Sequence, residues 1–266
     1  MAASTATPTE TQASCAVVHV ERREENSVIS ELRGVAPLAL RPLADAGGWS
    51  RVAIVQSSAC LLPGDAVGLR VIVGAQARLE LLEISATLSH PCLRQRAIRL
   101  STHVTLMTGA QLVFREQPLI MAAETLLTRV VVIELSEGAC CLHGDSVILG
   151  RDGEQPGPGT IRTRVERAGR PVLDDTLATV DRAALRSKAV VGAARCVATA
   201  GLWGATLSDP LPPGAFKVGR EDTLLRSIGL DAPSALSPID ALWPLWRRVA
   251  NDSQTAARRV LPSGPD

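Results

Sequence analysis

Apolar and polar residues alternate with a period of two along much of this chain. Val67, Leu69, Val71 and Val73 share one face of such a segment, opposite Gly68 and Arg70. Ile98, Leu100, Val104 and Leu106 face away from Arg99, Ser101, His103 and Thr105. Successive side chains of a strand point to opposite sides, so both segments predict half-buried strands. Ile161, Thr163 and Val165 against Arg162, Arg164 and Glu166 predict a third strand with a solvated face. Leu126 to Leu135 is a β-branched run with few polar breaks and predicts a strand buried more deeply.

A short motif recurs between these segments. Gly74-Ala75-Gln76-Ala77-Arg78-Leu79 is echoed by Gly109-Ala110-Gln111-Leu112-Val113-Phe114 and by Gly138-Ala139-Cys140-Cys141-Leu142. Each copy follows a strand-like run, where glycine can take a positive φ and reverse the chain. Spacings of 35 and 29 residues predict stacked hairpin units, arranged as a sandwich or as a solenoid-like pile. The fold class expected is therefore all-β, with stacked sheets that are sandwich-like or β-helix-like. Gly150 to Gly159 and Ser208 to Gly219 are Gly- and Pro-rich loops. Beyond the second loop the spacing of Leu224, Leu225 and Ile228 turns helical. Ser237-Pro238 with Asp240 resembles a helix start, and Pro244 is expected to kink or end that helix. The predicted organisation is an N-terminal tail over 1–14, one β-rich domain over 15–250 with a short helical part from about 220, and a tail over 251–266.

Composition narrows the function classes. With 28 Lys and Arg against 27 Asp and Glu the formal charge is +1, so no net field draws in nucleic acid or an anionic membrane. Four Trp, two Phe and no Tyr cannot build base-stacking platforms and argue against sugar stacking. The apolar stretch Ala189 to Leu207 approaches the length of a membrane span, but Arg195 lies within it, and two buried strands around Gly192 or Gly201 are expected instead. Met1 to Ser14 carries neither a basic nor an apolar leader region, so a cytoplasmic location is expected. Trp203, Trp243, Trp246 and the stripe of Leu224, Leu225 and Ile228 are expected to leave an apolar surface patch.

Motifs for chemistry are absent: there is no Walker loop, G-x-G-x-x-G, nucleophile elbow or H-E-x-x-H. The six cysteines show no C-x-x-C spacing. Cys141 and His143 would share one face of a strand with Cys140 on the other, and two such ligands do not complete a metal shell. An enzyme on a β scaffold, with Asp145 and Glu154 as acid and base, is the competing reading, and a structural or carbohydrate-binding module is a third.

Several segments, taken in order, resemble one known family. They are Leu32-Arg33-Gly34-Val35-Ala36-Pro37-Leu38 and the strand at Arg41, then Leu61-Leu62-Pro63-Gly64-Asp65 and Gly74-Ala75. Gln117-Pro118-Leu119-Ile120 follows, then Gly144-Asp145, Leu149-Gly150-Arg151-Asp152-Gly153-Glu154, Pro156-Gly157 and Gly169-Arg170-Pro171. Over about residues 30 to 205 the set resembles the UreD (UreH) urease accessory proteins. Ala59 and Cys60 stand where that family carries glycines, and Met121-Ala122-Ala123-Glu124 has fewer glycines and aromatics than usual. The resemblance implies a non-catalytic scaffold that binds UreF-type and UreG-type partners and the urease apoprotein, holds no tightly bound cofactor, and has nickel in transit. A route for a hydrated cation needs a polar lining, for which Asp65, Glu124, Asp145 and Glu154 are the candidates. Asp65 and Asp145 read equally as turn caps, and Glu154 as a solvated loop charge.

Overall fold

A computed structural model describes residues 15–92, 96–207 and 210–258; the expected N-terminal tail and residues 259–266 lie outside them. The chain winds back and forth between two stacked sheets. Strands β4 (Trp49–Gln56), β6 (Arg78–Glu83), β9 (Gln111–Arg115) and β12 (Cys140–Leu149) lie parallel in one sheet. Strands β1 (Cys15–Arg23), β5 (Ala66–Val73), β8 (Ile98–Leu106), β11 (Leu127–Leu135) and β13 (Gly159–Arg167) lie parallel in the other. From β4 to β13 the chain alternates sheets, with the short β7 (Thr87–Ser89) and β10 (Leu119–Met121) at the return bends. This is a two-sheet β-helix, and it is the solenoid-like form of the expected all-β class.

Antiparallel strands finish both ends. β2 (Asn26–Arg33) pairs with β1, β3 (Leu38–Ala46) with β4, and β14 (Arg170–Ala178) with β13. β15 (Cys196–Trp203) and β17 (Asp222–Gly229) continue outward from β12, and β16 (Ala215–Lys217) borders β17. A short helix α1 (Arg182–Leu185) precedes β15, and α2 (Ala232–Arg258) closes the chain.

The repeated motifs are the stacked turns from β5 to β6, β8 to β9 and β11 to β12, so they join coils of a parallel winding and not hairpins. Their register differs from the Gly-Ala alignment in the first copy. Gln111 pairs with Arg78 and with Cys140, which stacks Ala77, Ala110 and Ala139, all essentially inaccessible. The left-handed position before each alanine is held by Gln76 (φ 60°), Gly109 (φ 66°) and Gly138 (φ 66°), two residues after Gly74 in the first copy. The turns bond to one another, Gln76 N donating to Thr108 O and Gly109 N to Glu137 O.

The C-terminal region departs from expectation in an instructive way. Leu224 and Leu225 belong to β17, where Leu224 faces the other sheet and Leu225 faces α2. A strand covered on both sides carries adjacent apolar residues, and that doublet imitates helical spacing. The helix begins at Ala232, not near 220 or at Ser237, because Asp231 caps it by accepting a hydrogen bond from Ser234 N at 2.8 Å. It runs through Pro238 and Pro244 and on to Arg258, so among the described residues the helix neither ends at Pro244 nor gives way to a tail at Asn251. Ala235, Ile239, Leu242, Trp246 and Ala250 press one face of α2 onto the outer side of the sheet that contains β12, and this burial outweighs two missing N–H groups. Polar contacts fasten the same helix: Arg247 reaches the buried Glu80 at 2.8 Å, Arg115 pairs with Asp240, and Gln111 Nε2 donates to Ala250 O at 2.6 Å.

Trp203 and Trp246 are inaccessible, as are Leu224 and Leu225, so the expected apolar patch does not form from these residues. Of that set only Ile228 is substantially exposed, at 44%. The stretch from 189 to 207 supplies one buried strand, β15, with Gly192 in a turn and Gly201 inside the strand. No helix among the described residues is long and apolar enough to cross a membrane.

Close packing at the return bends yields a first prediction. A Cβ on Gly157 would lie 2.1 Å from Thr125 O and 2.3 Å from Thr125 N, contacts with backbone that no rotamer change relieves. Gly157→Ala is expected to lower the unfolding free energy by about 3 kcal/mol or more, measured by urea denaturation.

Candidate functional site

The interior between the sheets is not uniformly apolar. One cluster, with Val73, Leu106, Leu135, Leu81 and Phe114, fills the end next to the stacked turns. A second, with Leu61, Ile98, Leu119, Met121, Leu127, Val147 and Leu149, fills the end next to the return bends. Between them runs a polar row. On β6 and β9 the inward positions are Leu79, Leu81 and Leu112, Phe114; the next inward residues are Glu83 and Glu116. The register Leu82 to Arg115 to Gly144 sets Glu83, Glu116 and Asp145 side by side, and Asp145 pairs in turn with Thr199 and Thr199 with Arg226. Glu83, Asp145, Thr199 and Arg226 come from β6, β12, β15 and β17, and Glu116 from the residue that directly follows β9.

Arg129 faces this row from β11 in the opposite sheet, where it stands between Leu127 and Val131 on the inward side. Its Nη1 donates to Asp145 Oδ2 and its Nη2 to Glu116 Oε2, each at 2.6 Å. The remaining oxygen of Glu116 lies 2.7 Å from His143 Nε2. His143 precedes Asp145 by two on β12, so both point inward, and its ring tilts at 52° against Phe114. The side chains of Arg129, Glu116, His143 and Asp145 are 6%, 13%, 5% and 12% exposed.

Burial opposes a charge on Glu116, but the Arg129 guanidinium and the His143 hydrogen bond outweigh it and hold its carboxyl at about 2. An ionised carboxylate only accepts, so the imidazole proton sits on Nε2. Burial likewise works against Arg129, and its two carboxylates more than compensate and lift its pKa further. Glu83 goes the other way: burial first, then the nearby Glu116 charge, raise it to about 7. It accepts from Gln117 N at 2.8 Å.

Two cavities meet this cluster from opposite sides. One, of about 70 Å³, is bounded by Glu83, Glu116 and Arg129 together with Gln56 and Thr87 nearer the surface. The other, of about 240 Å³, is bounded by His143, Asp145 and the ion pair of Asp175 with Arg226, and reaches the exposed Val190 and Ile228.

The residues singled out from the sequence separate here. Asp145 is in the middle of β12 and inside the cluster, not at a turn. Cys141 and His143 share its face, with Cys140 on the α2 side. Burial raises the Cys141 thiol well above its ordinary value, with Cys140 adding to the effect, and this keeps it protonated and a poor ligand. Asp65 caps its own turn by accepting from Leu62 N at 2.7 Å. Glu124 is exposed in a turn at φ 58°. Glu154 is held by Arg151 and Ala123 N, where the Arg151 hydrogen bond lowers its pKa to about 2. Asp145 and Glu154 therefore belong to different networks and do not face each other as an acid and base. Glu83, Glu116 and Arg129 were not singled out from the sequence. The available signal was a charge continuing an inward apolar alternation, after Leu79 and Leu81, after Leu112 and Phe114, and between Leu127 and Val131.

The family described as "UreD urease accessory protein" matches residues 12–261. This chain belongs to that family. It is 31% identical over 232 residues to urease accessory protein UreD 1 of Streptomyces griseus, covering 87% of this chain and 91% of that protein. It is 29% identical over 263 residues to urease accessory protein UreD of Cereibacter sphaeroides, covering 91% and 94%. A UreD 1 of Saccharopolyspora erythraea is 31% identical over 176 residues, 65% of this chain and 69% of that one. UreD membership carries a role in urease maturation and points away from catalysis by this chain, and the polar row is the feature of its interior to be explained in that light.

Two predictions follow from the electrostatics of this UreD interior. Arg129→Met leaves Glu116 and Asp145 without their buried counter-charge and is expected to cost about 3–5 kcal/mol, read by chemical denaturation at pH 7.5. The folded protein keeps a proton on Glu83 that the unfolded chain releases above about pH 4.5, so its contribution is favourable at low pH and is lost as pH rises through about 7. Glu83→Gln is therefore expected to raise Tm relative to wild type at pH 8, by at most about 3 kcal/mol of stability, with the gain shrinking towards zero near pH 4.5. An equal gain at both pH values would contradict the assignment.

Proposed function

We propose that this UreD chain is a non-catalytic scaffold in the delivery of nickel to apo-urease, working with UreF-type and UreG-type partners, and that nickel passes through its interior instead of residing there. The observation that carries the reading is the polar row between the two apolar clusters, flanked by a cavity on each side. A sheet interior has no structural need for Glu83, Glu116, His143 and Asp145 in one layer, since burying charge costs free energy that apolar residues of similar volume would not. A dehydrated divalent cation, by contrast, needs carboxylate and imidazole donors wherever it leaves water. The family carries the coarser statement, a role in urease maturation, and the donor set supports the finer one.

Work in the cytoplasm fits the cysteines, which are all free thiols. The surface of the α2 side, with its Arg115–Asp240 pair, carries charge of both signs, suited to protein partners more than to nucleic acid or a membrane.

Removing this chain from a urease-positive host is expected to leave urease abundant but nearly free of nickel, measured by metal analysis of the purified enzyme. Glu116→Gln and Asp145→Ala are expected to lower urease nickel content at least tenfold while pull-down of the partners stays intact. Glu154→Ala, which loosens a surface turn, is expected to reduce soluble yield and partner binding together. Fully loaded urease in the deletion strain would overturn the proposal.

A further inference from the structure

We propose that Glu116, His143 and Asp145 form a latent site for one divalent first-row transition ion, and that Arg129 is the internal cation that masks it. The inference deepens the reading of the interior as a metal route, but the binding it asserts is a property of this chain alone.

The donor atoms of Glu116, His143 and Asp145 all lie within 4.8 Å of one another, a separation one ion can span. One imidazole nitrogen with two carboxylates is a borderline donor set that suits nickel, cobalt or zinc better than calcium or magnesium. His143 and Asp145 come from β12, and Glu116 directly follows β9, where its N–H donates to Gly144 O at 2.9 Å and carries the register one residue past the strand end.

What bridges the two carboxylates of this set now is the Arg129 guanidinium. It bonds one oxygen of Glu116, which borders the smaller cavity, and one of Asp145, which borders the larger. Arg129 therefore stands in the wall between the two cavities and satisfies the same oxygens that an ion would take. A guanidinium does not lose its proton, so it can leave this position only by moving, never by neutralising. Glu83 offers the alternative partner: it borders the smaller cavity with Arg129 and already feels its charge. An arriving ion would take Glu116 and Asp145 while the guanidinium turns towards Glu83. The imidazole would lose its Nε2 proton to solvent and take one up from solvent on Nδ1, a change of tautomer with no net change of charge, so that Nε2 can coordinate. A masked site of this kind binds weakly at rest, because each ion must first displace a charge held by two short hydrogen bonds. Weak binding is what a point of passage requires.

The test is titration of the isolated protein with Ni²⁺ by calorimetry, with folding checked by gel filtration and circular dichroism. Arg129→Gln, which removes the competing charge and leaves a neutral side chain, is expected to bind one equivalent of Ni²⁺ at least tenfold more tightly than wild type. Adding His143→Phe to it is expected to abolish the gain. The proposal is overturned if Arg129→Gln binds no more tightly than wild type, or if the gain survives His143→Phe. Should Arg129→Gln fail to fold, wild type titrated with Co²⁺ decides: a d–d absorption band that falls by at least half in His143→Phe supports the site, and no band, or one unchanged in that variant, overturns it. Tighter binding by Arg129→Gln in a protein whose deletion leaves urease nickel-loaded would sink the delivery role and keep the site.

Discussion

The bridge from Arg129 to Glu116 and Asp145 is the interaction on which the rest of the interior turns. Two carboxylates from one sheet and a guanidinium from the other meet where a β-helix of this size would ordinarily place three apolar side chains. None of the three can be removed alone without leaving a charge in low dielectric, so they hold each other in place. The bridge also crosses the gap between the sheets, which fixes their spacing at the level where the two apolar clusters are interrupted. Around it the remaining polar groups sort by what they can reach. Glu116 uses its second oxygen on His143, and Glu83, one strand further, is left without a guanidinium and keeps its proton to higher pH.

The outer surface of the sheet that contains β12 is organised by a separate logic. There α2 supplies the cover, and the sheet answers with small or apolar residues: Cys140, Leu142, Gly144 and Ser146 on β12 alternate with the inward Cys141, His143 and Asp145. Trp243 lies over Gly144, where an added Cβ would sit 2.6 Å from the ring, and Arg115 stacks on the same indole at 5.1 Å. One strand therefore presents an apolar seat for the helix on one side and donors for a cation on the other. The alternation of a strand makes this possible within ten residues.

How far the sequence discloses this differs between fold and site. The strands at 67–73, 98–106 and 161–165 are legible because one side of each is apolar, and the run from Leu126 to Leu135 because β-branched residues crowd it. The family is legible from turn segments such as Leu61-Leu62-Pro63-Gly64-Asp65, whose glycines and caps are tied to local backbone geometry. The polar row is hidden for a different reason. Glu83 and Glu116 sit at or just beyond strand ends, where a charge reads as solvated, and Arg129 sits in a β-branched run, where one polar break reads as an outward residue. Which of these face inward depends on register between strands 29 to 33 positions apart in sequence, and no local pattern encodes that. Asp145 could be named but not placed, since Gly144-Asp145 has the composition of a turn while its pairing with Thr199 makes it strand. Leu224 and Leu225 misled for the complementary reason, because burial on both faces erases alternation.

The winding of the coils has a consequence for how the protein is made. Each parallel strand rests on one that precedes it in the chain, β5 on β1, β8 on β5, β11 on β8 and β13 on β11, so a chain emerging from the ribosome can lay down coils in the order of synthesis. The helix that covers Leu142, Cys196, Ala198, Ala200 and Leu225 follows every one of those strands in the chain. Until it docks, the outer face of a nearly complete sheet is bare and apolar, and its strands have no neighbour above them. The stage most exposed to aggregation is thus the interval between completion of that sheet and the docking of α2.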